Sequence, residues 1–229
     1  MEKLVYLTRL RGADDHVAHA AAVLDAARRE LLPRARALTV QVADLAADPR
    51  LQPAHFLGEG RQIGACISLW LDCLDERAPI EKALGAVSAR ADGYLVTESI
   101  PQPYPDRDWP DGAPSPGVTQ LVCFPKPERL SDEEFYRGWH QEHTPFSFEL
   151  HPSRWLYVRN AVARVLTPGS PPYRAIVEER WRSLETWLDP AQLFGSPEIL
   201  AKCQAEVVRY ADFDALQQTL MSEHILRSL

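Results

Sequence analysis

Sulfur is scarce in this chain of 229 residues, with four cysteines and two methionines. None of Cys66, Cys73, Cys123 and Cys203 forms a Cys-x-x-Cys pair, which removes the common zinc-ribbon and dithiol redox frameworks. They read as reduced thiols that fill core space. Basic charge is also short: Lys plus Arg is 25 against 32 for Asp plus Glu, a formal net charge of -7. A phosphate-binding surface needs clustered Lys and Arg, so no nucleic-acid partner is expected. No apolar run approaches the ~20 residues of a membrane span, so no membrane partner is expected either. The apolar run Leu4–Leu7 is too short for a signal-peptide core and no small-residue cleavage site follows, which makes the cytoplasm the expected location. Missing too are Gly-x-Gly-x-x-Gly, P-loop, Gly-x-Ser-x-Gly and haem-attachment motifs. The expectation is therefore a protein without a bound cofactor. What remains is ordinary globular composition, 45% hydrophobic and 25% charged, in a chain long enough to bury a core without disulfides or metal.

The pattern along the chain alternates strands and helices. Residues 2–10 read as a strand around Val5, Tyr6 and Leu7. Asp14 or Asp15 offers a helix cap, and Val17, Ala20, Leu24, Ala27 and Leu31 give a stripe at spacings of three and four, ended by Pro33. Strands follow at 37–45 and 65–72, separated by a Pro- and Gly-rich loop. A helix opens at Pro79 with Ile80, Ala83, Leu84 and Val87, and Gly93 offers to close it before a strand at 94–100. That order is the ferredoxin-like βαββαβ unit. Residues 101–117 hold six prolines and read as an extended linker, with Trp109 as an anchor.

The order then repeats. A strand at 118–124 leads to the capping box Ser131-Asp132-Glu133-Glu134 and to Phe135, Trp139, His143, Phe146 and Leu150 on one stripe. Strands at 154–166 and 175–182, helices from Ser183 and Ser196, and an extended segment at 213–226 complete it. Leu31-Leu32-Pro33 falls where His143-Thr144-Pro145 falls, since 145 minus 33 gives an offset of 112. Residues 69–74 fall where residues 179–184 fall, an offset of 110 from 184 minus 74. Near-equal offsets indicate an internal repeat. The expected fold class is α+β: two ferredoxin-like halves, residues 1–100 and 118–229, whose sheets cover each other and close one barrel-like core. Any pocket would lie between a half's helices and its own sheet. Internal pairing allows a monomer, and a free sheet edge would allow a homodimer.

The second half, residues 118–226, resembles the EthD family of the dimeric α+β barrel superfamily. The carrying residues are Ser131, Glu134, Phe135, Trp139 and the His-x-Pro element His143-Thr144-Pro145, with the segment Glu178–Glu185 and Ser196-Pro197 behind them. Arg180 and Arg182 depart from the family pattern. The first half looks like a degenerate, structural copy, with Leu31 in the place of His143. The resemblance implies an intramolecular version of the dimeric barrel. It also implies a range of chemistry in ether degradation and aromatic polyketide pathways, from dehydratases, decarboxylases and cyclases to cofactor-free monooxygenases.

His143 is the foremost candidate catalytic residue, since its stripe points toward the sheet and burial favours the neutral base. A core histidine bonded to a backbone carbonyl is the competing reading. Pro145 lacks an N–H and should free the carbonyl of Gln141, which would widen the space beside the ring. Tyr157 and Asn160 differ by an odd number on one strand, so only one of them can share a pocket with His143; either could steady an oxyanion or a substrate carbonyl. Trp139, Phe146, His140 and Glu178 are candidate substrate-binding residues, Glu178 also as a partner of Arg180 or of His143. His140 and His143 lack the His-Glu-x-x-His spacing, and no metal is expected. The resulting expectation is a cofactor-independent lyase or isomerase, of dehydratase, decarboxylase or cyclase type, on a small apolar or aromatic oxygenated metabolite. A cofactor-free monooxygenase on a phenolic or polyketide-like substrate is the first alternative. A non-catalytic small-molecule-binding or accessory protein is the second.

Overall fold

The structure is a computed structural model that describes residues 1–12 and 15–229. Eight antiparallel strands close a barrel: β1 (Glu2–Arg9), β2 (Ala37–Val42), β3 (Ile63–Leu71), β4 (Arg90–Gln102), β5 (Val118–Pro125), β6 (Leu156–Val165), β7 (Tyr173–Trp181) and β8 (Gln217–Arg227). Their order around the barrel is β1-β3-β2-β8-β5-β7-β6-β4. Within each set of four the order is that of a ferredoxin-like sheet. The two seams, β2 with β8 and β4 with β6, join one set to the other. Strand alternation therefore aims one set of side chains into the lumen and the other outward under the helices. Both faces of β1 are covered, which is why Leu4-Val5-Tyr6-Leu7 reads as an unbroken apolar run.

The lumen carries side chains from both halves, among them Val5, Leu7, Cys66, Leu121, Ile176 and Met221. It is not apolar throughout. Lys3 meets Glu98 at 2.5 Å, Gln41 reaches across from the first half to Glu178 at 2.6 Å, and Arg180 lies 3.7 Å from Glu223. Buried charges persist there because each has an opposite charge or an amide donor against it.

Helix α1 (His16–Ala26) packs on the outside of the first sheet. Its cap is Asp15, whose side chain accepts from the Ala18 N–H; Asp14 lies outside the described residues. The buried face is His16, His19, Ala20, Val23 and Ala26, whereas Val17 is 59% exposed, so the expected stripe is rotated. Polar histidines occupy core positions here: His19 bonds the Thr8 hydroxyl at 2.9 Å and His16 the Arg61 carbonyl at 3.0 Å. Helix α2 (Ala78–Val87) ends at Ser88, not at Gly93, which lies inside β4. Gly93 is there because the Tyr6 ring would sit 2.6 Å from a Cβ.

In the second half α3 (Asp132–Tyr136) starts on the full Ser131–Glu134 capping box. Further helices are α4 (Thr144–Leu150), α5 (Leu184–Leu188), α6 (Pro190–Phe194) and α7 (Pro197–Val207). Both halves share an unusual detail. The backbone widens to π-helical turns over Ala27–Leu31 and over Arg137–His143, each closing two residues before a proline. The Leu32 N–H donates to the Ala27 carbonyl and the Thr144 N–H to the Trp139 carbonyl, bonds that span five residues. The matching position of this turn supports the repeat at the offset read from sequence.

Between β4 and β5 the Pro-rich linker runs along β8, with the Gly112 and Ser115 N–H groups donating to the Ile225 and Glu223 carbonyls. Trp109 anchors it against Tyr104 and Trp155, and its Nε1–H donates to Ser115 Oγ at 2.9 Å. No helix among the described residues is long and apolar enough to cross a membrane.

Candidate active site

A cavity of about 430 Å³ lies between the helices of the second half and the outward face of its sheet. Its size is that of a small-molecule site. Strands β5 and β7 floor it with Val122, Phe124 and Val177, and the helices roof it with Trp139, Leu150, Leu193 and Leu200. The corresponding space in the first half is packed: Leu31 is 0% exposed, against Val23, Leu38 and Leu84 in one core cluster.

His143 lines this cavity, with its side chain 13% exposed. The π turn ends on it, and Pro145 stands in the first turn of α4, where it has no N–H to place. Nδ1 of the ring stands 2.8 Å from Glu206 Oε2 on α7. Glu206 is 9% exposed and its other oxygen has no hydrogen-bond partner. A carboxylate acceptor fixes the proton on Nδ1 and leaves Nε2 as the basic nitrogen. The Tyr210 ring packs on the imidazole with centroids 5.3 Å apart. The competing reading, a core histidine tied to a carbonyl, describes His151 instead: its Nδ1 donates to the Leu193 carbonyl at 2.8 Å.

Tyr157 also lines the cavity, and burial pushes its phenol up to about 12, so it stays a neutral donor. Asn160 does not: it points into the lumen, where its amide donates to the Ile176 carbonyl and to Glu178 at 2.8 Å. Glu178 is in the lumen as well, tied to Gln41 and Asn160, and Arg180 on the same face is directed to Glu223 and Thr119 rather than to Glu178. The parity of the strand puts Glu179, not Glu178, on the cavity side. Trp139 forms part of the wall. Phe146 and His140 sit on the same helical segment outside the lining; His140 packs tilted against Trp139 with centroids 4.5 Å apart, and burial lowers its ring to about 4. Among the described residues no group of three or more His, Cys, Asp and Glu side chains is placed to hold a metal ion.

Two contributors were not read from the sequence. Glu206 stands behind the lining on α7, next to the cavity residues Cys203 and Val207, and a buried acid near the end of a helix was the available signal. The other is the first half itself. Its loop between β2 and β3 crosses to the second half and lays Ala54, His55 and Leu57 on the cavity wall. Leu57 pairs with Gln218 of β8, and Gly60 is required there, since a Cβ would fall 1.8 Å from the Gln218 carbonyl oxygen. The first half is thus part of the site and more than a structural copy.

Residues 127–214 match the family model of the EthD domain. Solved structures share the whole fold. An anthrone oxidase-like protein superposes with a TM-score of 0.60 at 10% identity, covering 98% of this chain and 92% of that one. A candidate monooxygenase from Fusobacterium nucleatum subsp. nucleatum does so with a TM-score of 0.53 at 12% identity, again over 98% and 92%. At such identities the likeness is one of fold. Among curated proteins none matches the sequence. Residues 127–214 thus match the EthD domain, and they are set within an eight-stranded α+β barrel that a single polypeptide closes on its own.

Proposed function

We propose that the protein is a cofactor-independent oxygenase that oxidises an activated C–H bond of an apolar aromatic ketone or phenol. The observation that carries this is the His143–Glu206 pair beside an apolar cavity, with Nε2 free of protein partners. A lyase or isomerase uses the same base, but the comparisons lend that chemistry no support; the names of the structures sharing the fold point to oxygen chemistry instead.

The residues can carry the reaction as follows. His143 Nε2 takes a proton from a methylene group flanked by aryl rings and conjugated to a carbonyl. Glu206 faces the imidazolium that forms. Tyr157, held neutral, donates to the enolate oxygen. The carbanion passes its electrons to dioxygen, a C–O bond forms, and His143 returns the proton to the peroxide. Loss of the second methylene proton then breaks the O–O bond, giving the ketone and water, so one dioxygen is consumed per methylene oxidised. Apolar walls favour this route, because dioxygen is itself apolar and charged intermediates are shielded from bulk water.

The test is oxygen uptake with anthrone as substrate. Wild-type protein should consume dioxygen and release anthraquinone, and His143→Gln should lose at least 100-fold in kcat while keeping its thermal midpoint. An unchanged rate in that variant removes the histidine from the reaction.

A further inference from the structure

Besides the base, the cavity presents a second polar group. Glu179 on β7 and His151, just past α4, both line it and both are buried, at 7% and 8% exposure. Arg154 holds Glu179 from one side: its Nη1 donates to Oε1 at 2.5 Å, while its Nε and Nη2 are spent on Gln102 and Ser147. The guanidinium is stacked 4.3 Å from the Tyr157 ring centroid and cannot turn toward the cavity without breaking these bonds. The second carboxylate oxygen of Glu179 receives no protein donor. His151 has its Nδ1–H committed to the Leu193 carbonyl, which leaves a bare Nε2 on a ring gripped by Trp181 and Phe194. Burial opposes charge on Glu179, yet Arg154 and the His151 ring, cationic at low pH, outweigh it and keep the carboxyl below its ordinary range; burial lowers His151, so near neutral pH its ring is an uncharged acceptor beside an ionised carboxylate. These two side chains therefore present acceptors and no donor to the cavity.

We infer that Glu179 and His151 form a reading head for hydroxyl hydrogens, so that the site selects polycyclic substrates bearing phenolic hydroxyl groups over their unsubstituted parents. The inference rests on the proposed function for the aromatic class of ligand, but it concerns recognition and not turnover. A buried acceptor left without a donor is costly, and a hydrogen bond to a charged group gains more than one between neutral groups. A ligand lacking the hydroxyl leaves the carboxylate unsolvated, which penalises the wrong ligand as well as rewarding the right one.

Binding of anthrone and of 1,8-dihydroxyanthrone, measured by quenching of tryptophan fluorescence under anaerobic conditions, tests this. The dihydroxy compound should bind wild-type protein at least 10-fold more tightly. In Glu179→Gln the ratio should fall below threefold through weaker binding of the dihydroxy compound, with anthrone affinity held within threefold. Circular dichroism and thermal melts report whether that variant folds. If it does not, the wild-type ratio and a His151→Phe variant decide, the latter predicted to lose at least threefold of the preference. Equal wild-type affinities, or a preference that survives in both variants, overturns the inference. Glu179-dependent selectivity without oxygen uptake would sink the proposed function and leave the inference standing. Oxygen uptake without that selectivity would do the reverse.

Discussion

Replacing Glu206 by glutamine separates the base from the group that steadies it. Glu206 is absent from the cavity lining, so the substitution leaves the substrate's contacts in place. It removes a carboxylate 2.8 Å from Nδ1 of a ring that becomes cationic when it accepts a proton. Both side chains are largely screened from water, at 13% exposure for His143 and 11% for Glu206. At an effective dielectric constant of about 20, opposite charges centred about 4 Å apart attract by about 4 kcal/mol. The glutamine amide recovers part of that as a neutral hydrogen bond, worth about 1 kcal/mol. The difference, about 3 kcal/mol, corresponds to a loss of about 100-fold in kcat. The assay is oxygen uptake with anthrone across a range of concentrations. KM should stay within threefold, the thermal midpoint should hold, and Glu206→Asp should recover at least part of the rate. A kcat within threefold of wild type in a folded Glu206→Gln protein would refute the reasoning, since the imidazolium would then need no counter-charge.

Two further outcomes test the fold. Leu31→Ala empties the place that His143 holds in the other half, and because Leu31 is 0% exposed the urea midpoint should drop by the equivalent of about 2–5 kcal/mol with kcat unchanged. His140→Gln tests a half-buried ring whose titration is lowered to about 4 in the folded protein against about 6.5 unfolded. Between those values the unfolded chain binds a proton that the folded one refuses, so stability is full above pH 6.5 and drains as the pH falls toward 4. After discounting for the ring's partial exposure, the variant should lose about 1 kcal/mol less than wild type between pH 7 and 4.5; parallel urea curves would speak against it.

The strands and the repeat were legible because barrel strands are covered on both faces and announce themselves as apolar runs, and because the proline after each widened turn marks equivalent places. His143 was legible for the same reason: it interrupts an apolar stripe two residues before Pro145. Boundaries failed where side chains from distant strands decide them, as at Gly93, whose small size answers to Tyr6 and not to a helix end. Parity was available for Tyr157 and Asn160, but which of them faces the cavity depends on which surface the helices cover. The same ambiguity misdirected Glu178, which lies one residue from the cavity-facing Glu179. Glu206 and the loop holding His55 are separated from His143 by 63 and 88 residues, and only the closed barrel brings them together.

Fusing two sheets into one polypeptide has a consequence for how such a site can change. A pair of identical subunits must alter both copies at once, so any residue that one chamber needs is also imposed on the other. Here the constraint is gone. One chamber could be filled with leucine for rigidity while its twin kept an imidazole, and the filled side could lend a loop to its neighbour's wall. Asymmetry of that sort is closed to a symmetric assembly, and it lets substrate preference be tuned from either end of the gene.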